Sequence, residues 1–173
     1  MFGDPDFFEI DQLKAMGMWP ASTMTSRGVI PYVNRMRKDK IKVTVVGDFK
    51  GDTIRDLLDN CPKIFRVYAI NNYADDEKSQ NYKKLFETNT KEYKDKIRFK
   101  SDRESDLVCI DQSACTSDNL KLYYNLVKSG GIYCGNGHEY VPVKEELSKF
   151  RREVKIGTPI QVSNRAVWFW YKR

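Results

Sequence analysis

Lys42-Val43-Thr44-Val45-Val46-Gly47-Asp48-Phe49-Lys50-Gly51-Asp52-Thr53 joins a short β-branched run to a glycine turn and then to a helical pattern. Val43, Val45 and Val46 stand in a run too short for a buried helix, so they read as a strand covered on both faces. Gly47 and Gly51 free the backbone where it must turn, and Asp52 or Thr53 can cap a helix carrying Ile54, Leu57 and Leu58. Backbone amides left open at such a turn suit a phosphate- or nucleoside-sized ligand. The same residues also suit a tight strand-to-helix turn with no ligand, because two glycines four apart are common in loops.

Outward from this stretch, short apolar runs alternate with helical stripes. Arg66 to Ile70 reads as a second strand ending in Asn71-Asn72, followed by a helical stripe through Tyr82, Leu85, Phe86 and Tyr93. Ile97 to Phe99 is a minimal third strand, and Leu107 to Ile110 a fourth, closed by Asp111. Leu120, Tyr123, Tyr124 and Val127 then form a stripe that stops at Ser129-Gly130-Gly131, read as a glycine helix end before a fifth strand over Ile132 to Cys134. A helix through Val143, Leu147 and Phe150 precedes runs around Val154 to Val162 and Ala166 to Tyr171, whose short connection predicts an antiparallel hairpin. The alternation predicts an α/β fold, a Rossmann-like doubly wound, mostly parallel sheet closed by a C-terminal antiparallel hairpin. Residues 29–173 make one domain, preceded by an irregular segment, 1–28, with Gly17-Met18-Trp19-Pro20 and a Ser/Thr run from Ser22 to Ser26.

Composition narrows the classes. With 173 residues, 31% of them charged, and no apolar run near the length of a membrane span, the chain has the pattern of a soluble domain without membrane contact. Asp4, Asp6, Glu9 and Asp11 occupy the place of the basic region of a secretory signal, so the expected compartment is the cytoplasm. Cys61, Cys109, Cys115 and Cys134 show no metal-binding spacing and read as buried free thiols, and no metal is expected. The net charge is +6, and Lys144 to Arg173 holds eight basic residues against three acidic ones. Arg151, Arg152 and Lys155 follow the Leu147 and Phe150 stripe and are expected to lie exposed at its end, as a solvated face or as a guide for an anionic partner, nucleic acid included. Trp168, Phe169, Trp170 and Tyr171 read as sheet core rather than as stacking platforms.

Four of these stretches, in order, resemble the motifs of class I S-adenosylmethionine-dependent methyltransferases, most closely the small-molecule and sugar-modifying branch. They are Val46 to Thr53, Phe86-Glu87-Thr88-Asn89, Asp106 to Ser113, and Lys128 to Gly135 with its continuation to Phe150. The resemblance implies S-adenosylmethionine as cofactor, held by Gly47, Asp48, Phe49, Gly51 and Thr53, with its ribose near Asn71, its adenine near Asp102 and its ammonium at Asp111. It implies methyl transfer to an unidentified small acceptor, with Asp111 and His138 as candidate catalytic bases. The chain departs from the pattern at Val45, Asn71, Ala114, Asn136 and Gly137, the first two and the last two standing where the family carries acids. Those losses suit an alternative, a catalytically degenerate binding or scaffold protein on the same fold. A nicotinamide-dependent enzyme is a third reading, disfavoured because the turn lacks the Gly-x-Gly-x-x-Gly spacing that lets backbone approach a pyrophosphate.

Overall fold

The computed structural model of the chain describes residues 7–18, 22–164 and 166–173. In chain order they form α1 (Ile10–Ala15), α2 (Ser22–Asn34), β1 (Ile41–Val46), α3 (Asp52–Asn60), β2 (Ile64–Ile70), α4 (Glu77–Thr90), β3 (Ile97–Arg98), β4 (Ser105–Ile110), α5 (Ser117–Tyr124), β5 (Val127–Gly135), α6 (Val141–Glu153), β6 (Gln161–Ser163) and β7 (Val167–Tyr171). The sheet runs β3-β2-β1-β4-β5-β7-β6, with the first five strands parallel and β7 antiparallel to both neighbours. This is the Rossmann-like sheet with a terminal hairpin that the alternation predicts.

Each face of the sheet carries its own core. Val43, Val45, Val67 and Cys109 point to one side, where Val29 and Val33 of α2, Ile54 and Leu57 of α3, and Phe86 of α4 cover them. Val46, Val108, Ile110 and Tyr133 point to the other and meet Leu120 of α5 with Leu147 and Phe150 of α6. Side chains alternate across a strand, so consecutive apolar residues in β1 and β4 are what two covered faces require. Trp168, Phe169 and Trp170 are fully buried in β7, and Tyr133 meets Trp168 and Trp170 edge-on at 5.5 and 5.4 Å. All four cysteines are buried and unpaired, as read from the sequence.

Three local expectations are corrected. The segment expected to be irregular contains α1, and α2 begins at Ser22, so the Ser/Thr run is helical despite its weak helix preference. The tertiary reason is Gly28, where a Cβ would meet Val167 at 2.8 Å: α2 lies directly on β7. Trp19 and Pro20 fall outside the described residues. Second, Val127 belongs to β5 rather than to the preceding helix, and Gly130-Gly131 form a bulge instead of a helix end. Ser105 pairs with Val127 and Leu107 with Ile132, so the residues between them loop out. Gly130 has φ +81°, and a Cβ on Gly131 would lie 2.8 Å from the Asp106 carbonyl. Third, Arg151 is folded back, its guanidinium 4.8 Å from the Trp170 ring centre and bonded to the Thr158 carbonyl, so it is not part of a free basic face.

Candidate functional site

In an open α/β sheet the crevice forms where neighbouring strands send their connections to opposite sides. Here that point lies between β1 and β4, since the chain leaves β1 for β2 and β3 and then crosses back to β4. A cavity of about 10 Å³ sits there, lined by Val45, Asp48 and Thr53 from the β1 side and by Cys109, Ile110, Asp111 and Asn136 from the β4 and β5 side. The structure thus gathers the predicted site residues Asp48, Thr53 and Asp111 together with Val45 and Asn136, two of the positions at which the chain departs from the family pattern.

The turn is built by residues that serve one another. Gly47 (φ +83°) and Gly51 (φ +80°) take left-handed backbone that disfavours any side chain. A Cβ on Gly51 would meet Thr90 Cγ2 at 2.8 Å and Phe86 Cδ2 at 3.3 Å, so this glycine makes room for α4. Asn89, four per cent exposed, donates to the Lys50 carbonyl at 2.8 Å and accepts from the Ile10 N–H at 3.1 Å. The Phe86-x-x-Asn89 pattern therefore clamps the turn and ties α1 to it.

Capping of α3 falls to Asp48 rather than to Asp52 or Thr53. Its Oδ2 accepts from the Ile54 N–H at 2.8 Å, reaching into the helix across the turn. Burial, with the Asp52 carboxylate next in weight, pushes the Asp48 carboxyl up to about 7 against the pull of the Ile54 and Thr53 amides, and Asp111 adds to the rise. A cation brought to the turn would favour the ionised form of Asp48, whereas a pyrophosphate would meet these acids unfavourably. Asp111 accepts from the Ser113 N–H at 3.0 Å and from its hydroxyl at 2.6 Å, which fixes the carboxylate at the end of β4. Asn136 accepts from the Gln112 N–H at 2.7 Å and lies 3.4 Å from Asp111 through its amide nitrogen.

Asn71, at the end of β2, donates to the Asp48 carbonyl at 3.1 Å and lies 3.2 Å from the Tyr73 hydroxyl, which donates to the Phe49 carbonyl at 2.7 Å. Its Oδ1 is buried without a protein partner. Burial pushes up the Tyr73 hydroxyl. The Phe49 and Tyr73 rings meet edge-on at 5.7 Å, so these groups latch the turn. Beyond the latch opens a groove of about 570 Å³ between α4 and β3, walled by Phe86, Ile97 and Phe99 and reached by Asn71 and Tyr73. Nothing in the sequence signals Tyr73, whose role depends on its contact with Phe49.

The remaining predicted residues stand apart from the cavity. Asp102 occupies the exposed connection before β4, its carboxylate 3.6 Å from Arg103, and no helix intervenes between β3 and β4. His138 does not line the cavity; its N–H donates to the Ala166 carbonyl at 2.9 Å, while burial and then Lys144 push its imidazole below the usual histidine range.

This strand order and crevice define a Rossmann-like fold, and solved structures share it. The chain superposes on the precorrin-6y C5,15-methyltransferase of Geobacter metallireducens GS-15 with a TM-score of 0.62 at 14% identity, over 85% of this chain and 87% of that one. A putative S-adenosyl-L-methionine-dependent methyltransferase of Methanococcus maripaludis matches over 99% of this chain and 96% of its own, at a TM-score of 0.60 and 13% identity. The spermidine synthase of Thermotoga maritima matches 88% of this chain at 14% identity and a TM-score of 0.59, the chain spanning 58% of its length. No family model matches the chain, and no curated protein is similar to it in sequence. At these identities the likeness is one of fold, and a spermidine synthase among the matches means that fold alone does not select the reaction.

Proposed function

We propose that the protein binds S-adenosylmethionine over the Gly47 to Gly51 turn and transfers its methyl group to a small, anionic acceptor. The observation that carries this reading is the convergence of Asp48 and Asp111 on the crevice between β1 and β4, two acids suited to a cationic cofactor, whose charge favours the ionised form of Asp48. The donor set fits at two points. Asp111 offers a fixed carboxylate for an ammonium, and the unpartnered Asn71 Oδ1 offers an acceptor for a ribose hydroxyl. The fit in volume requires the Asn71 and Tyr73 latch to open, because the space at the turn is about 10 Å³.

When bound, the cofactor supplies an electrophilic methyl group on a sulfonium. The chain's own work is to hold that group in line with the acceptor and to exclude water, which Val45, Cys109 and Ile110 do from the cavity floor. An acceptor that must lose a proton needs a base, and we assign that role to Asp111, which faces the crevice, ahead of His138, which does not. An anionic acceptor suits the net charge of +6.

A second reading has its own observation. The closed latch, together with Val45, Asn71, Asn136 and Gly137 where the resembling family carries acids, favours a degenerate relative that keeps the fold without turnover. Thermal unfolding with S-adenosylhomocysteine tests the cofactor binding on which the first reading depends. At a hundredfold excess over its dissociation constant, a ligand raises stability by about 2.7 kcal/mol, or roughly 5 to 10 °C in a chain of this size. Asp111→Asn is expected to remove most of that shift. A wild-type protein that gives no shift at millimolar ligand supports the scaffold instead.

A further inference from the structure

A second cavity, of about 320 Å³, lies at the amino-terminal end of the sheet, opposite the glycine turn. Four elements build it: the end of α2 and the turn after it (Tyr32, Arg35, Arg37, Lys38), the start of β4 (Asp106), the β5 bulge (Ser129 to Gly131) and the end of β7 (Tyr171). The six residues of β1 separate it from Gly47, about 20 Å at the rise of a strand. Its volume is at the lower end of what small-molecule sites offer.

The charges on its wall are unequally satisfied. Lys38 donates to Asp106 Oδ1 at 2.6 Å, and the Lys42 N–H donates to Asp106 Oδ2 at 3.0 Å. Burial opposes ionisation of Asp106, yet Lys38 and the Lys42 amide hold it below the usual carboxylate range, so this acid is fully engaged inside the protein. Among the described residues no carboxylate lies within ion-pair distance of Arg35 or Arg37, and both are exposed. Arg35 stands 5.8 Å from the centre of the Tyr32 ring. Tyr171, 37% exposed, supplies a second aromatic wall, and the floor at Gly130 is open, with nothing within 4 Å of where a Cβ would point.

Two guanidinium groups with no carboxylate partner among the described residues, beside two tyrosines, suit a phosphate joined to a planar ring: guanidinium binds phosphate bidentately, and bases stack on tyrosine faces. We propose that this cavity is a nucleoside-phosphate site, with the phosphate held by Arg35 and Arg37 and the base against Tyr171. The nucleotide can be free or part of a single strand. This site does not depend on the cofactor reading, because the two cavities share no residue.

The test is fluorescence anisotropy with a fluorescein-labelled ten-nucleotide single strand of mixed sequence, competed by adenosine monophosphate and by inorganic phosphate, at several salt concentrations. Wild type, Arg35→Gln/Arg37→Gln and Tyr171→Ala are compared, with circular dichroism confirming that each is folded. The double variant is expected to bind the strand at least tenfold more weakly and to lower the salt slope by about 0.7, the value for one phosphate contact on a single strand. Tyr171→Ala is expected to lose affinity for the strand and the mononucleotide while leaving phosphate competition unchanged. Competition by the mononucleotide at concentrations comparable to the strand identifies a free nucleotide as the source; binding of the strand alone identifies nucleic acid. Absence of binding by wild type to both, or equal binding by wild type and the double variant, overturns the proposal.

Discussion

Asp48 is the buried acid on which both the turn and the proposed site depend, and its removal has a sign that can be worked out. Its carboxyl is raised from 3.8 to about 7, chiefly by burial. A raised folded value means that the group contributes stability below pH 3.8 and that this contribution is lost as pH rises through about 7. The whole shift corresponds to roughly 4 kcal/mol, of which about 2 to 3 kcal/mol falls between pH 5 and pH 8.5. Asp48→Asn keeps the shape and one acceptor for the Ile54 N–H, loses the titration, and gives up the interaction with the Thr53 amide, about 1 kcal/mol. Urea unfolding at pH 5, 7 and 8.5 is therefore expected to show wild type weakening with pH by about 2 to 3 kcal/mol relative to the variant. His138, pushed down by burial, is present in both proteins and cancels in the difference. Parallel curves for wild type and variant would refute the assignment of a buried, proton-binding Asp48.

Two further outcomes follow from the same geometry. A sulfonium near Asp48 favours its ionised form, so the ratio of affinities for S-adenosylmethionine and the uncharged thioether S-adenosylhomocysteine is expected to rise from pH 6 to pH 8; calorimetric titration at the two pH values checks it, and a flat ratio separates Asp48 from the sulfur. Gly51→Ala meets both an unfavourable φ and the Thr90 and Phe86 side chains, whereas Gly130→Ala meets only the φ, so denaturant unfolding is expected to show a loss of about 1 to 2 kcal/mol at Gly130 and clearly more at Gly51.

The parts of the fold that could be read from the sequence are those in which a residue's type reports its own burial. Val43 to Val46 and Trp168 to Trp170 are consecutive large apolar residues in short runs, and a strand covered on both faces is the arrangement that buries all of them. Asn164, at φ +52° between β6 and β7, similarly marks the hairpin by its tolerance of left-handed backbone. Residues whose role lies in a distant partner were read less well. Nothing in the type of Gly51 announces the room it leaves for Thr90 and Phe86; Gly130-Gly131 looked like a helix end and lets β5 bulge past Asp106. Arg151 looked solvated until Trp170, in β7, was brought beneath it. Of the candidate site, Asp48 and Asp111 were legible because strand ends in such a sheet point at one crevice, and Thr53 because it stands in the first turn of the helix that follows. The latch of Asn71 and Tyr73 was not, because it is made of contacts to the Asp48 and Phe49 carbonyls, which every sequence possesses.

The reading of the crevice as a cofactor site is tested most directly by isothermal titration of the wild-type protein with S-adenosylmethionine, in parallel with NAD. Binding of one S-adenosylmethionine per chain in the micromolar range, about −6 to −8 kcal/mol, is expected, with no heat from NAD because Asp48 and Asp111 oppose a pyrophosphate. Binding of NAD, or no binding of S-adenosylmethionine at millimolar concentration, would contradict it.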